Sequence, residues 1–175
     1  TTEFPTNELP QFLKMDKSLS DDVDFLNNGY YISPSLETLK SKELLELRHI
    51  DNLVIGCNKL GKMEFLESVD LSNVPLKMLC GTIIHFMQGE CLVYANSTSV
   101  PEPSDGLNVK ARITLYNCFP RNKETREPIT DVTHPSFNNL VASLKKNMGE
   151  DAKFESYDPN TGTFTFIREH AAINA

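Results

Sequence analysis

The chain has no tryptophan and only 4 histidines, and its 17 lysines and arginines are outnumbered by 24 aspartates and glutamates, giving a net charge of −7. Phosphate binding needs a basic surface, so direct nucleic-acid binding is a poor reading of this chain, even if a local basic patch exists. No apolar run approaches the roughly 20 residues of a membrane helix, so no direct membrane contact is expected. No secretory leader is expected. Thr1 stands where an initiator methionine would, which suggests a fragment of something longer.

Metal-binding and nucleotide-binding signatures are missing too. Cys57, Cys80, Cys91 and Cys118 form no C-x-x-C pair, and no two histidines share a face at ligand spacing. Neither a metal nor a cofactor is expected. Three of the cysteines sit in or beside apolar runs, at Val54-Ile55-Gly56-Cys57, Met78-Leu79-Cys80 and Cys91-Leu92-Val93. They read as buried free thiols in a reducing compartment. There is no G-x-S-x-G elbow, and Gly106-Leu107-Asn108 is too short for a phosphate loop.

At 175 residues the chain is long enough for one domain with a sizeable core. Residues 1–28 read as a loosely ordered acidic lead-in, broken by Pro5 and Pro10 and carrying Glu3, Glu8, Asp16, Asp21, Asp22 and Asp24. Order is expected from Gly29-Tyr30-Tyr31-Ile32, a short aromatic strand. Ser33-Pro34 then reads as a helix cap with proline at the first helical position. Ser41 is expected to cap a second short helix carrying Leu44, Leu45 and Leu47.

From Asn52 the pattern is that of strands. Leu53 to Cys57 is one run, Asn58-Lys59-Leu60-Gly61 a turn, and Lys62 to Glu67 the return. An apolar stretch from Leu76 to Glu90 is partnered by Cys91-Leu92-Val93-Tyr94. After a loop at Pro101–Gly106, Val109, Ala111, Ile113 and Leu115 alternate with polar residues. Phe137, Leu140, Val141 and Leu144 then mark one face of a helix, with Ser136 or Thr133 as cap and Gly149 as its stop.

The last segment is the most informative. Tyr157-Asp158-Pro159-Asn160-Thr161-Gly162 has turn chemistry, and Thr163-Phe164-Thr165-Phe166 alternates as a half-buried strand does. The fold class is therefore α+β: a β-sandwich or partly open barrel of short antiparallel strands flanked by helices.

His170, just past that strand, is the main candidate for chemistry, against the plain reading of a solvated histidine. His85, in Ile83-Ile84-His85-Phe86-Met87, reads as a core or rim residue. His49 and His134 read as loop or helix-edge residues. Lys110 lies on the polar face of the alternating strand. It is either solvated or set in a pocket where it could polarise a carbonyl or hydroxyl.

Three separated motifs, in order, carry a resemblance to a known family. They are Gly29-Tyr30-Tyr31-Ile32-Ser33-Pro34-Ser35, Gly106-Leu107-Asn108-x-Lys110-Ala111-x-x-Thr114-Leu115, and Tyr157-Asp158-Pro159-x-Thr161-Gly162-x-Phe164-x-Phe166. The chain resembles the C-terminal autoproteolytic domain of the GLFG-repeat nucleoporins over about residues 29–172. Residues 173–175 would then begin the downstream cleavage product.

The resemblance implies a domain that cuts its own chain after a His-Phe dipeptide and before a serine or threonine. The hydroxyl attacks the preceding carbonyl in an N-to-O acyl shift, with the histidine as base, and water hydrolyses the ester. The matching positions here are His170, Ala171 and Ala172. The base is present, but a methyl group at the nucleophile position cannot attack, so no cleavage is expected. The alanine pair is read either as a deliberate substitution that keeps a precursor uncut or as a natural relative that does not cleave. Lys110, by its place in the motif, is a helper near the scissile bond. Strain in the backbone there would add on the order of 1–3 kcal/mol.

The resemblance also implies a docking module at the nuclear pore. Its expected partners are the downstream nucleoporin released by cleavage and a β-propeller nucleoporin, competing for one surface. The alternative within the family is an anchor that never cleaves. An outside reading, a small enzyme or RNA-binding β-domain, is disfavoured by the charge and by the missing aromatic-basic interleave.

Overall fold

The computed structural model describes residues 29–94 and 105–171. The lead-in (1–28), most of the expected loop at Pro101–Gly106, and everything from Ala172 onward lie outside the described residues. So do the expectations placed on them.

The described strands are β1 (Tyr30–Ser33), β2 (Val54–Cys57), β3 (Gly61–Phe65), β4 (Ile84–Met87), β5 (Glu90–Val93), β6 (Ala111–Leu115), β7 (Ala152–Asp158) and β8 (Thr163–Arg168). The described helices are α1 (Leu36–Ser41), α2 (Leu44–Leu47), α3 (Leu76–Leu79) and α4 (Ser136–Lys146). Six strands form one antiparallel sheet in the order β1-β2-β3-β6-β8-β7, and β4-β5 make a separate two-stranded ribbon. The α+β expectation therefore holds, with sheet layers of unequal size.

Register sorts the side chains. One row across the sheet is Tyr30, Cys57, Gly61, Leu115, Phe164 and Tyr157, and the next is Ile32, Ile55, Met63, Ile113, Phe166 and Phe154. Both rows point inward, and Ile55, Met63 and Ile113 are almost wholly buried. The opposite rows, with Lys62, Glu64 and Arg112, make the polar face, where Arg112 Nε donates to both carboxylate oxygens of Glu155 at 3.1 Å. The ribbon covers the inner face. The Phe86 N–H donates to the Tyr30 hydroxyl at 3.0 Å, and a Cβ on Gly61 would lie 3.2 Å from the Phe86 ring.

The helix caps differ from the sequence expectation, because a side chain that can cap often has a nearer partner. The cap of α1 is Ser35, which accepts the Thr38 N–H at 3.1 Å; Ser33 belongs to β1. Ser41 donates back to the Thr38 carbonyl, and α2 is opened instead by a capping box of Glu43 and Glu46. At α4, Thr133 is occupied with Asp131, and the Ser136 N–H is taken by the His134 ring at 3.1 Å. That helix stops at Asn147, before Gly149. Only Phe137 of its apolar face is fully buried. Its ring meets Phe119 edge-on at 6.5 Å and tilts against Tyr157 at 6.4 Å.

No disulfide joins the four cysteines; Cys57 and Cys80 are buried, whereas Cys91 and Cys118 are half-buried, short of the full burial expected. Burial pushes Cys80 and Cys91 up to about 12 and Cys118 up to about 11. The folded state thus keeps protons that the unfolded chain releases from about pH 8.5 upward. Protons are bound more tightly when folded, so stability is full below that pH and falls as pH rises above it. The urea midpoint is expected to drop between about pH 8 and pH 10. A thiol reagent at about pH 8 should label these three only after unfolding. Rapid labelling of the folded protein would contradict this account.

Candidate functional site

The terminal hairpin is anchored at both ends. At the turn, the Asn160 N–H donates to the Asp158 carboxylate at 3.0 Å, and Gly162 takes a φ of +70°. The Cys118 N–H donates to the Gly162 carbonyl at 2.7 Å, and the Tyr157 hydroxyl to the Cys118 carbonyl at 2.6 Å. Burial pushes the Tyr157 phenol up to about 12, which keeps it a donor at neutral pH. Along its length, β8 lies between β6 and β7, with Phe164 and Phe166 stacked at 4.9 Å.

The chain past Arg168 stays held from two sides. The Glu169 N–H donates to the Asp151 carbonyl at 2.9 Å, on the β7 side. The Ala171 N–H donates to the Val109 carbonyl at 3.0 Å, on the β6 side. Ala171 has no exposed surface and belongs to the core. None of residues 168–171 takes a positive φ, and the 171–172 bond, where backbone strain is expected, reaches outside the described residues.

His170 sits between these two anchors. Its Nδ1 lies 3.4 Å from Asp151 Oδ1, a little beyond the usual span of such a bond, with both side chains about a third exposed. The other Asp151 oxygen, Oδ2, is buried and accepts no hydrogen bond among the described residues. Lys110 immediately precedes β6. Its carbonyl accepts the Leu66 N–H at 2.9 Å, and its Nζ lies 3.6 Å from Glu169 Oε2. That ion pair is exposed enough to contribute at most about 1 kcal/mol.

Three of the four sequence-picked residues, His170, Ala171 and Lys110, thus meet at one end of the sheet; Ala172 lies outside the described residues. The other histidines stay apart from them. His85 reaches the Gly81 carbonyl at 3.1 Å, as a rim residue would. His49 lies 3.0 Å from Ser68 Oγ through Nε2, the nitrogen that also faces Asp51, so that cluster lacks the two-sided arrangement of a catalytic triad. Among the described residues no group of three or more potential ligands could hold a metal ion.

Sequence reasoning missed Asp151. The available signal was its place just before the strand that pairs with β8, a position that can face the residues following that strand.

Fold and site together define an α+β domain whose C-terminal strand runs out into a histidine that faces a carboxylate. The family model for Nucleoporin2, the Nup98-96 autopeptidase S59, matches residues 27–173. The chain belongs to this nucleoporin autopeptidase family. It is 51% identical over 160 residues to nucleoporin NUP100/NSP100 of Saccharomyces cerevisiae, which covers 91% of this chain and 16% of that relative. The chain therefore spans only a small part of the curated relative. The C-terminal domain of nuclear pore complex component NUP116 from Candida glabrata matches at TM-score 0.79 and 46% identity, covering 83% of this chain and 92% of that one. A chain of the yeast heterotrimeric Nup82-Nup159-Nup116 nucleoporin complex matches at TM-score 0.79 and 50% identity, covering 84% of this chain and 99% of that one.

Proposed function

We propose that this chain is a nuclear-pore anchoring domain built on the self-cleaving scaffold and kept uncut because position 172 carries alanine. The observation that carries the reading is the Ala171-Ala172 pair directly after His170, at the end of a strand fixed from both sides. In the serine-type reaction, a hydroxyl at position 172 would lose its proton to His170 and attack the carbonyl carbon of residue 171. The C–N bond would break as the amine takes the proton, and water would then cleave the ester. Base assistance of this kind contributes roughly 10²–10⁴-fold. Lys110 would help by its charge near that carbonyl, from the strand end that also holds Ala171.

Docking is the second half of the reading. A relative that matches along nearly its whole length sits in a complex of three nucleoporins. By that likeness we infer nucleoporin partners for this chain. A β-propeller nucleoporin is one, and the downstream nucleoporin released by cleavage in a competent precursor is its rival for the same surface. The place of work is the nuclear pore. The domain proper runs over about 29–172, with 1–28 leading in; since the cut falls after residue 171, the downstream product begins at position 172 itself.

Ala172→Ser tests the cleavage half. The parent chain should keep its full mass, while the variant should lose residues 172–175 by mass spectrometry. Adding His170→Ala should slow that loss by roughly 10²-fold or more. A phenylalanine at position 171 would force a ring into a fully buried site, at about 1–3 kcal/mol. The single change is therefore the cleaner test, with Ala171→Phe/Ala172→Ser as the version carrying the family dipeptide. If both variants keep the tail while a nucleoporin partner is still captured, the chain is an anchor only.

A further inference from the structure

We propose that Asp151 is the positioning residue for His170, holding the imidazole in the tautomer that leaves its Nε2 free to act as a base. This use of the histidine rests on the cleavage reading; the tautomer itself does not. A carboxylate is acceptor-only when ionised, so a neutral imidazole that turns Nδ1 toward Asp151 presents the Nδ1–H there. The lone pair then resides on Nε2, the atom that would take the hydroxyl proton of a nucleophile at position 172. Which ring nitrogen carries the proton is set by the hydrogen bond the other one makes.

Several observations join at this point. Backbone geometry fixes the pair before any side chain does, since the Glu169 N–H is bonded to the Asp151 carbonyl and Ala152 is in register with Arg168. Asp151 Oδ2 is buried and accepts no hydrogen bond among the described residues, so the carboxylate retains unused acceptor capacity beside the ring. Of the other charged groups near the histidine, Glu169 and Glu150 are engaged elsewhere or exposed, while Arg168 lines the same cavity as Asp151. Glu169 meets Lys110, the Arg168 guanidinium lies 5.8 Å over the Phe166 ring, and Glu150 is exposed. Asp151 is the group that meets an imidazole nitrogen.

Two measurements test the assignment. The first is nitrogen-15 NMR of the His170 ring in the parent chain at about pH 8.5, above the usual imidazole range. The Nδ1–H form should dominate, and Asp151→Ala should shift the ring to the Nε2–H form favoured in water. Asp151→Glu should restore part of the parent signature. If Asp151→Ala fails to fold, Asp151→Ser, equally unable to reach the ring, takes its place. The second measurement is the rate of tail loss in the Ala172→Ser background, which Asp151→Ala should lower by about tenfold or more. An Nε2–H ring in the parent, or a ring unchanged by removing the carboxylate, overturns the proposal. So does an unchanged rate of tail loss. If Ala172→Ser never loses its tail, the cleavage reading fails, while the tautomer measurement still decides the role of Asp151.

Discussion

Gly61→Ala is expected to lower the melting temperature by about 10 °C, more than alanine at Gly56 or Gly89. Gly61 opens β3, opposite Leu115 of β6. A Cβ built there would lie 2.4 Å from the Thr114 carbonyl oxygen, closer than real methyl groups come, and 3.2 Å from both Leu115 Cδ2 and the Phe86 ring. The obstacle is backbone, and β6 cannot recede because it is paired to β8 on its other side. The methyl must instead push β3 away from the sheet or lift the ribbon off its inner face. Overpacking typically costs about 1–3 kcal/mol, and a blocked central strand belongs at the upper end. For a domain of this size each kcal/mol lowers the midpoint by about 2–4 °C.

Two control glycines separate this cause from the general effect of adding a methyl. At Gly56 the new Cβ would meet only the tip of the Tyr31 ring, at 2.3 Å, and that half-exposed side chain can swing away. Gly89 has nothing within 4 Å but a φ of +76°, so alanine there incurs only the left-handed backbone penalty of about 1–2 kcal/mol. The order of loss should be Gly61 first and the other two well behind, read by thermal denaturation. A Gly61→Ala variant melting within about 2 °C of the parent would mean that the β3–β6 spacing is not set by this contact.

Gly61 also shows where sequence reading stops. The sequence places it in the turn Asn58–Gly61, as asparagine and glycine are both turn-forming residues. Its use as a gap under a crossing carbonyl depends on β6, some fifty residues later, and no local pattern contains that. The helix caps failed in the same way: Ser33 and Ser41 have the right chemistry, but Ser35 and Glu43 have the right places. By contrast, what depends on short-range period was legible. The terminal turn, the alternation of β6 and β8, and the free thiols all follow from residues within a few positions of one another. The site was half legible. His170 and the alanine pair stand out in the sequence, but Asp151 was hidden by a register shift between Phe154 and Ser156. That irregularity makes Glu155 an extra residue, so counting back from the turn misplaces β7 by one position against β8.

The second large effect is expected at Phe166. Phe166→Ala should cost about 3–5 kcal/mol and, unlike Gly61→Ala, should loosen the segment that presents His170. Phe166 is 7% exposed, stacks on Phe164 at 4.9 Å, and has the Arg168 guanidinium over its other surroundings at 5.8 Å. It shares its row with Ile113 on one neighbour strand and Phe154 on the other. Removing the ring therefore leaves a cavity between β6 and β7 only a few residues before the site. The bonds that hold Glu169 and Ala171 to Asp151 and Val109 sit on the end of this strand, and they survive only while β8 is pinned. Hydrogen exchange should report this as faster exchange at the Glu169 and Ala171 amides in Phe166→Ala, with the β2–β3 amides changed only by the global loss of stability. Phe166→Leu, which keeps most of the volume, should cost less than half as much and leave both amides protected. Equal acceleration across the whole sheet in Phe166→Ala would show that the terminal strand has no separate opening, and that His170 is held by the fold as a whole.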